Sequence, residues 1–62
     1  MYYNSDNYMR IFKNNIYGGI TIKAYYRGQY FKSPCYIGYT EKQAIQKFRH
    51  DNNLIGKHMP LI

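Results

Sequence analysis

The sequence predicts an α+β fold in which a three-stranded antiparallel β-meander is followed by one C-terminal α-helix packed on one face (βββα). Three observations predict it. Apolar and polar residues alternate over 20–27, two short turn sequences divide the first half of the chain into strands, and apolar residues take a helical spacing after Thr40.

The length of the chain sets its organisation. With 62 residues, it has room for a single small domain. We expect a loose N-terminal arm at 1–7, a βββα core at 8–53 and an extended C-terminal tail at 54–62. A domain of this size buries only roughly 60% of the surface that its unfolded chain exposes, and its one cysteine excludes an internal disulfide.

The first hairpin is predicted from a short aromatic and β-branched stretch at 8–13, followed by Asn14-Asn15. Asparagine tolerates positive φ, which suits a two-residue type I′ turn. The strand would resume at Ile16, and this register pairs Met9 with Ile20.

The second hairpin is predicted to turn at Gly28-Gln29, a type II′ sequence. This register makes the following cross-strand pairs: Tyr26 with Phe31, Ala24 with Ser33, Ile22 with Cys35, and Ile20 with Ile37. Both hairpins then place their apolar residues on one face. That face comprises Met9, Ile11, Ile16, Ile20, Ile22, Ala24, Tyr26, Phe31, Cys35 and Ile37. Since Pro34 has no amide hydrogen, its strand must be an edge or be broken there.

The helix is predicted to begin at Thr40, where Thr40 and Gln43 have the spacing of a capping box. Ala44, Ile45 and Phe48 form its apolar stripe, which leaves Lys42, Lys47 and Arg49 outside that stripe. We expect Asp51-Asn52-Asn53 to end the helix, with an Asn in the left-handed conformation, and Leu54 and Ile55 to fold back on the core. The tail residues Met59, Leu61 and Ile62 would either cover a sheet edge or join a dimer.

The charge of the chain indicates its partners. Nine Lys and Arg against three Asp and Glu give a net charge of +6, which favours DNA or RNA, or else an acidic protein. No apolar run approaches a membrane span and the Met1 end is polar, so we expect no membrane association, no signal peptide and a cytoplasmic location.

The predicted outer surface of the sheet combines cations with aromatic rings. It would carry Tyr8, Arg10, Phe12, Tyr17, Thr21, Lys23, Tyr25, Arg27, Tyr30, Lys32 and Tyr36. Cations pair with phosphates and tyrosine rings stack on bases, so this pattern is typical of a nucleic-acid-binding surface. The candidate binding residues are Arg10, Lys23, Tyr25, Arg27, Tyr30, Lys32, Tyr36, Lys42, Lys47 and Arg49. Exposed aromatic residues also anchor protein interfaces, including homodimers.

A basic three-stranded sheet followed by a helix, over residues 9–52, resembles the arm-type DNA-binding domain of tyrosine integrases and the related AP2 domain. The resemblance implies that the sheet lies in the major groove and reads bases through its outer face. The residues that it nominates are Arg10, Lys23, Tyr25, Arg27, Tyr30 and Lys32.

A second pattern is similar to the GIY-YIG nucleases: Asn-Ile-Tyr at 15–17, Tyr-Ile-Gly at 36–38 and a helix containing Arg49-His50. The motif's first Gly is Asn15 here, and no carboxylate follows Asp51 to hold the metal ion that this family uses. The sequence therefore favours a coincidental match.

The remaining chemistry is sparse. We expect Cys35 on the core face, where it acts as a small buried hydrophobic residue. This position disfavours a nucleophile–base pair of Cys35 with His50 or His58. Without a CxxC or HxxxH spacing, we expect no metal and no cofactor. The interpretation is a small non-catalytic nucleic-acid-binding protein, of the kind encoded by phages or mobile elements. The alternative is a protein-binding factor, such as a phage inhibitor of a host protein or a small virion component.

Overall fold

The computed structural model describes residues 7–16 and 18–62 and confirms the α+β class. Its elements, in chain order, are β1 (Tyr8–Asn14), β2 (Gly19–Tyr26), β3 (Gln29–Lys32), β4 (Tyr36–Ile37) and α1 (Glu41–Asp51). Residues 1–6 of the predicted arm, and Tyr17, lie outside the described residues.

Strand β2 is the centre of the sheet. It pairs antiparallel with β1 along one side, and with both β3 and β4 along the other. Strands β3 and β4 are the two parts of the third strand of the meander, interrupted around Pro34. The prediction that this strand is an edge or is broken at the proline is confirmed.

The predicted register of the first hairpin is wrong by four residues. Met9 pairs with Ala24 instead of Ile20, and the hairpin closes at Asn14 and Gly19. The side-chain oxygen of Asn14 accepts a hydrogen bond from the Ile16 amide at 2.9 Å, which builds a longer turn than Asn14-Asn15 alone. Ile16 lies in this turn with 84% of its surface exposed, so its predicted place in the core is also wrong.

The second hairpin turns at Arg27-Gly28, one residue earlier than predicted. Both residues have positive φ, 52° and 80°, which is the geometry of a type I′ turn. Ala24 therefore pairs with Phe31, a shift of two residues from the predicted register. Because the register of each hairpin is shifted by an even number of residues, the faces of β1, β2 and β3 are those that the sequence predicted.

A bulge reverses the faces of β4. Ser33 lies opposite Ile22, and the Ile22 amide donates to its side-chain oxygen at 2.8 Å. Ile20 pairs with Tyr36, so two residues on the third strand oppose only Thr21 on β2. The extra residue turns Tyr36 inward.

Three face predictions fail for this reason. Tyr36 is buried, whereas Cys35 and Ile37, which were expected in the core, are exposed. The sulfur of Cys35 lies against the backbone of Gly19.

Helix α1 covers one face of the sheet. Thr40 and Gln43 form the predicted capping box, and Asn53 takes the predicted left-handed conformation after the last turn, with φ 58°. Ala44 and Phe48 are completely buried, and Ile45 packs beside them. The remaining buried hydrophobic residues are Met9, Ile20, Ile22, Ala24, Tyr36, Leu54 and Met59. Leu54 folds back as predicted, but Ile55 is exposed.

The C-terminal tail covers the outer edge of β1. The Met9 amide donates to the Pro60 carbonyl at 2.9 Å, and the Ile62 amide donates to the Met9 carbonyl at 3.0 Å. Of the two roles expected for the tail, the structure shows the edge-covering one. No helix within residues 7–16 and 18–62 has the length and apolar character needed to span a membrane.

The bulge can be tested through Gly19. A Cβ at this position would collide with the Cys35 sulfur, although the backbone of Gly19 itself would accept alanine. We expect Gly19→Ala to lower the free energy of unfolding by about 1 kcal/mol, because the exposed Cys35 side chain must turn away from the new methyl group. In a Cys35→Ala background the colliding atom is gone, so most of that loss should disappear. Urea denaturation of the four proteins measures it, and equal losses in both backgrounds would contradict the bulge geometry.

Candidate nucleic-acid interface

The outer face is the surface of the sheet opposite α1, and three basic residues cross it in a straight line. Arg10 on β1 pairs with Lys23 on β2, which pairs with Lys32 on β3. Neighbouring strands lie about 4.8 Å apart, so this cationic row spans roughly 10 Å. Arg10 and Lys32 are exposed, and Lys23 between them is half-buried.

No Asp or Glu side chain within the described residues shares the outer face with the cationic row. Glu41 and Asp51 both lie on α1, on the other side of the sheet. Glu41 pairs with Lys13 at 3.0 Å, and Asp51 pairs with Lys47 at 3.3 Å. Like charges directly opposite each other on neighbouring strands repel. An anion bound along the row would therefore relieve repulsion that no Asp or Glu side chain of the described residues offsets.

A ladder of tyrosines lies beside the cationic row, two residues away from it along each strand. Tyr8 pairs with Tyr25 and Tyr25 with Tyr30, again one residue from each strand. The ring centroids are 5.4 Å and 5.2 Å apart, with interplanar angles of 30° and 80°. Tyr30 is 51% exposed and Tyr25 38% exposed, so the tyrosine ladder offers ring surface to solvent.

The other side of the cationic row is apolar. Phe12 is 41% exposed, and the Lys23 ammonium lies 4.8 Å from its ring centroid. This cation–π contact holds Lys23 over the sheet. Cationic side chains thus occupy the middle of the outer face, with aromatic rings on both sides of them.

The structure brings five of the ten predicted binding residues together on the outer face: Arg10, Lys23, Tyr25, Tyr30 and Lys32. Arg27 is exposed in the turn beyond the tyrosine ladder, where its amide donates to Asn7 Oδ1 at 2.9 Å. Asn7, assigned to the loose arm, is therefore anchored. Tyr8 was absent from the candidate list, although its alternation with Met9 placed it on this face.

The predicted outward position of Tyr36 is wrong. Its side chain is in the core, and its hydroxyl has no hydrogen-bond partner among the described residues. Burial raises the pKa of this hydroxyl above its ordinary value, and the charge of Asp51 adds to the shift. Tyr36 therefore belongs to the packing under α1.

The three helix candidates do not join the cationic row. Lys42 and Lys47 are exposed on α1, and a hydrogen bond to Asp51 raises the pKa of Lys47. Arg49 donates to the carbonyl oxygens of Leu54 at 3.1 Å and Lys57 at 2.6 Å. It therefore holds the loop after the helix.

Groups that ligate metals are dispersed. Across 7–16 and 18–62, no three His, Cys, Asp or Glu side chains come close enough to hold a metal ion. His50 lies 3.7 Å from Asp51 on α1. Cys35 is exposed beside Gly19, on the side of the sheet opposite α1.

Substitution of Tyr36 tests its assignment to the core. We expect Tyr36→Phe to raise the free energy of unfolding by about 1 kcal/mol, because a buried hydroxyl without a partner is removed. The folded-state pKa is raised, so the unfolded chain loses this proton first and the wild type loses stability as pH rises past about 10. The variant should lose less there. Tyr30→Phe, on the exposed ladder, is the matched control and should change little; destabilisation by Tyr36→Phe would contradict the assignment.

Comparison of the chain with protein-family models, with curated proteins and with solved structures finds no match. The resemblance to the integrase arm-type and AP2 domains stays a prediction, and the outer face itself carries the functional argument.

Proposed function

We propose that this chain is a non-catalytic nucleic-acid-binding protein that holds its ligand on the outer face of the sheet. The observation that supports this is the cationic row with the tyrosine ladder directly beside it. Phosphates would pair with the cationic row, and bases would stack on the tyrosine ladder. The row and the ladder lie side by side, as a phosphate and its base do in a polynucleotide.

The distribution of charge favours this face over the rest of the surface. On the helix side, Lys13 and Lys47 each have a carboxylate partner. On the outer face, the described cations have none, and Lys23 has only an aromatic ring beneath it. Lys42 and Lys57 are also exposed, but among the described residues only the outer face combines three aligned cations with tyrosines beside them.

An acidic protein would be drawn by the same charges, and exposed tyrosines also serve as protein anchors. The carboxylates of an acidic protein would pair with the cationic row. On each of the three strands, however, the tyrosine lies two residues from the basic residue. This regular spacing suits a ligand whose charges and rings are also regularly spaced. We therefore place nucleic acid first and the acidic protein second.

The proposal is tested by removing charge from one side of the sheet at a time. Arg10→Gln/Lys32→Gln takes two charges from the cationic row, and Lys42→Gln/Lys57→Gln takes two exposed charges from elsewhere. We expect the first pair to weaken oligonucleotide binding about tenfold or more at low salt, and to make the slope of log affinity against log salt shallower by about 0.7 to 0.9 per residue. Fluorescence anisotropy over a salt series measures both.

The control pair should shift affinity only slightly, because it changes the net charge equally without touching the outer face. Equal weakening by both pairs would mean that net charge alone drives binding. Absence of binding to any oligonucleotide at low salt would overturn the proposed function. Circular dichroism spectra check that all variants are folded.

A further inference from the structure

We propose that the outer face binds single-stranded nucleic acid, with phosphates along the cationic row and unstacked bases against the tyrosine ladder. This inference rests on the proposed function and goes further, since it names the form of the ligand and its direction across the sheet.

Tyr25 and Tyr30 meet edge to face, and Tyr30 keeps about half of its surface open. A duplex hides the faces of its bases in its own stack and presents base edges in its grooves. Only a strand with unstacked bases can offer the flat faces that tyrosine rings take up.

The cationic row and the tyrosine ladder both run across the strands, one residue from each of β1, β2 and β3. They are separated by two residues along each strand, which is about 6.7 Å. A nucleic-acid strand lying across the β-strands would keep its backbone on the row and its bases on the ladder.

A row roughly 10 Å long has room for about two or three successive phosphates. One domain would therefore contact a short segment, and the salt dependence should be shallow, with a slope of about −1.4 to −2 for a single strand.

The experiment compares three probes of about 20 nucleotides, longer than typical single-strand sites: a thymine strand, the same length of duplex, and an abasic strand with the same phosphates. We expect the thymine strand to bind about tenfold tighter than the other two at equal salt. Tyr30→Leu should weaken thymine-strand binding about fivefold or more and leave abasic binding unchanged, because only base stacking is lost. Tyr30→Phe keeps the ring and should bind like the wild type.

The outcomes separate the two proposals. Equal binding of all three probes, or tighter binding of the duplex, would overturn the single-strand inference and leave the proposed function standing. Loss of thymine-strand preference in Tyr30→Phe as well as in Tyr30→Leu would overturn ring stacking as its cause. No binding of any probe would overturn both.

Discussion

A single helix has to bury the sheet of this chain, and it reaches only one face. Ala44 and Phe48 pack against the side of β2 that carries Ile22 and Ala24, and the core lies entirely there. Burial of this apolar surface is the main stabilising contribution in so small a domain. The opposite face stays in solvent, where its side chains contribute little to the core and are available for binding. The division of the molecule into a packed side and a solvent-exposed side follows from that one constraint.

The sequence was sufficient for the faces of the first three strands but not for their register. Alternation fixes which way a side chain points, and it survives a shift of the strand register by an even number of residues. The registers of both hairpins are shifted in that way, by four residues and by two. The bulge after Ser33 adds one residue, and a single extra residue reverses every face that follows. The bulge follows from Pro34, which has no amide hydrogen, and from the Ser33 side-chain oxygen, which accepts the hydrogen bond of the Ile22 amide in place of a backbone carbonyl. The alternation of apolar and polar residues does not predict this hydrogen bond.

The same reasoning explains which candidate binding residues were correctly placed. Arg10, Lys23 and Lys32 could be assigned to one face from alternation, yet their alignment in one row depended on registers that only the structure supplies. Basic residues on the helix were included for their charge alone. Arg49 shows why charge is insufficient, because its guanidinium is engaged by two backbone carbonyls. Position relative to carboxylates, which determines where a field is uncompensated, becomes visible only in three dimensions.

We propose the face opposite α1 as the binding surface. The most direct test is to titrate isotope-labelled protein with a single-stranded oligonucleotide and follow each backbone amide by NMR. We expect chemical-shift changes concentrated on Arg10, Lys23, Tyr25, Tyr30 and Lys32, with the exposed helix positions Lys42 and Lys47 unaffected. Shifts concentrated on α1 and the loop after it, with the three strands unchanged, would overturn this assignment of the surface.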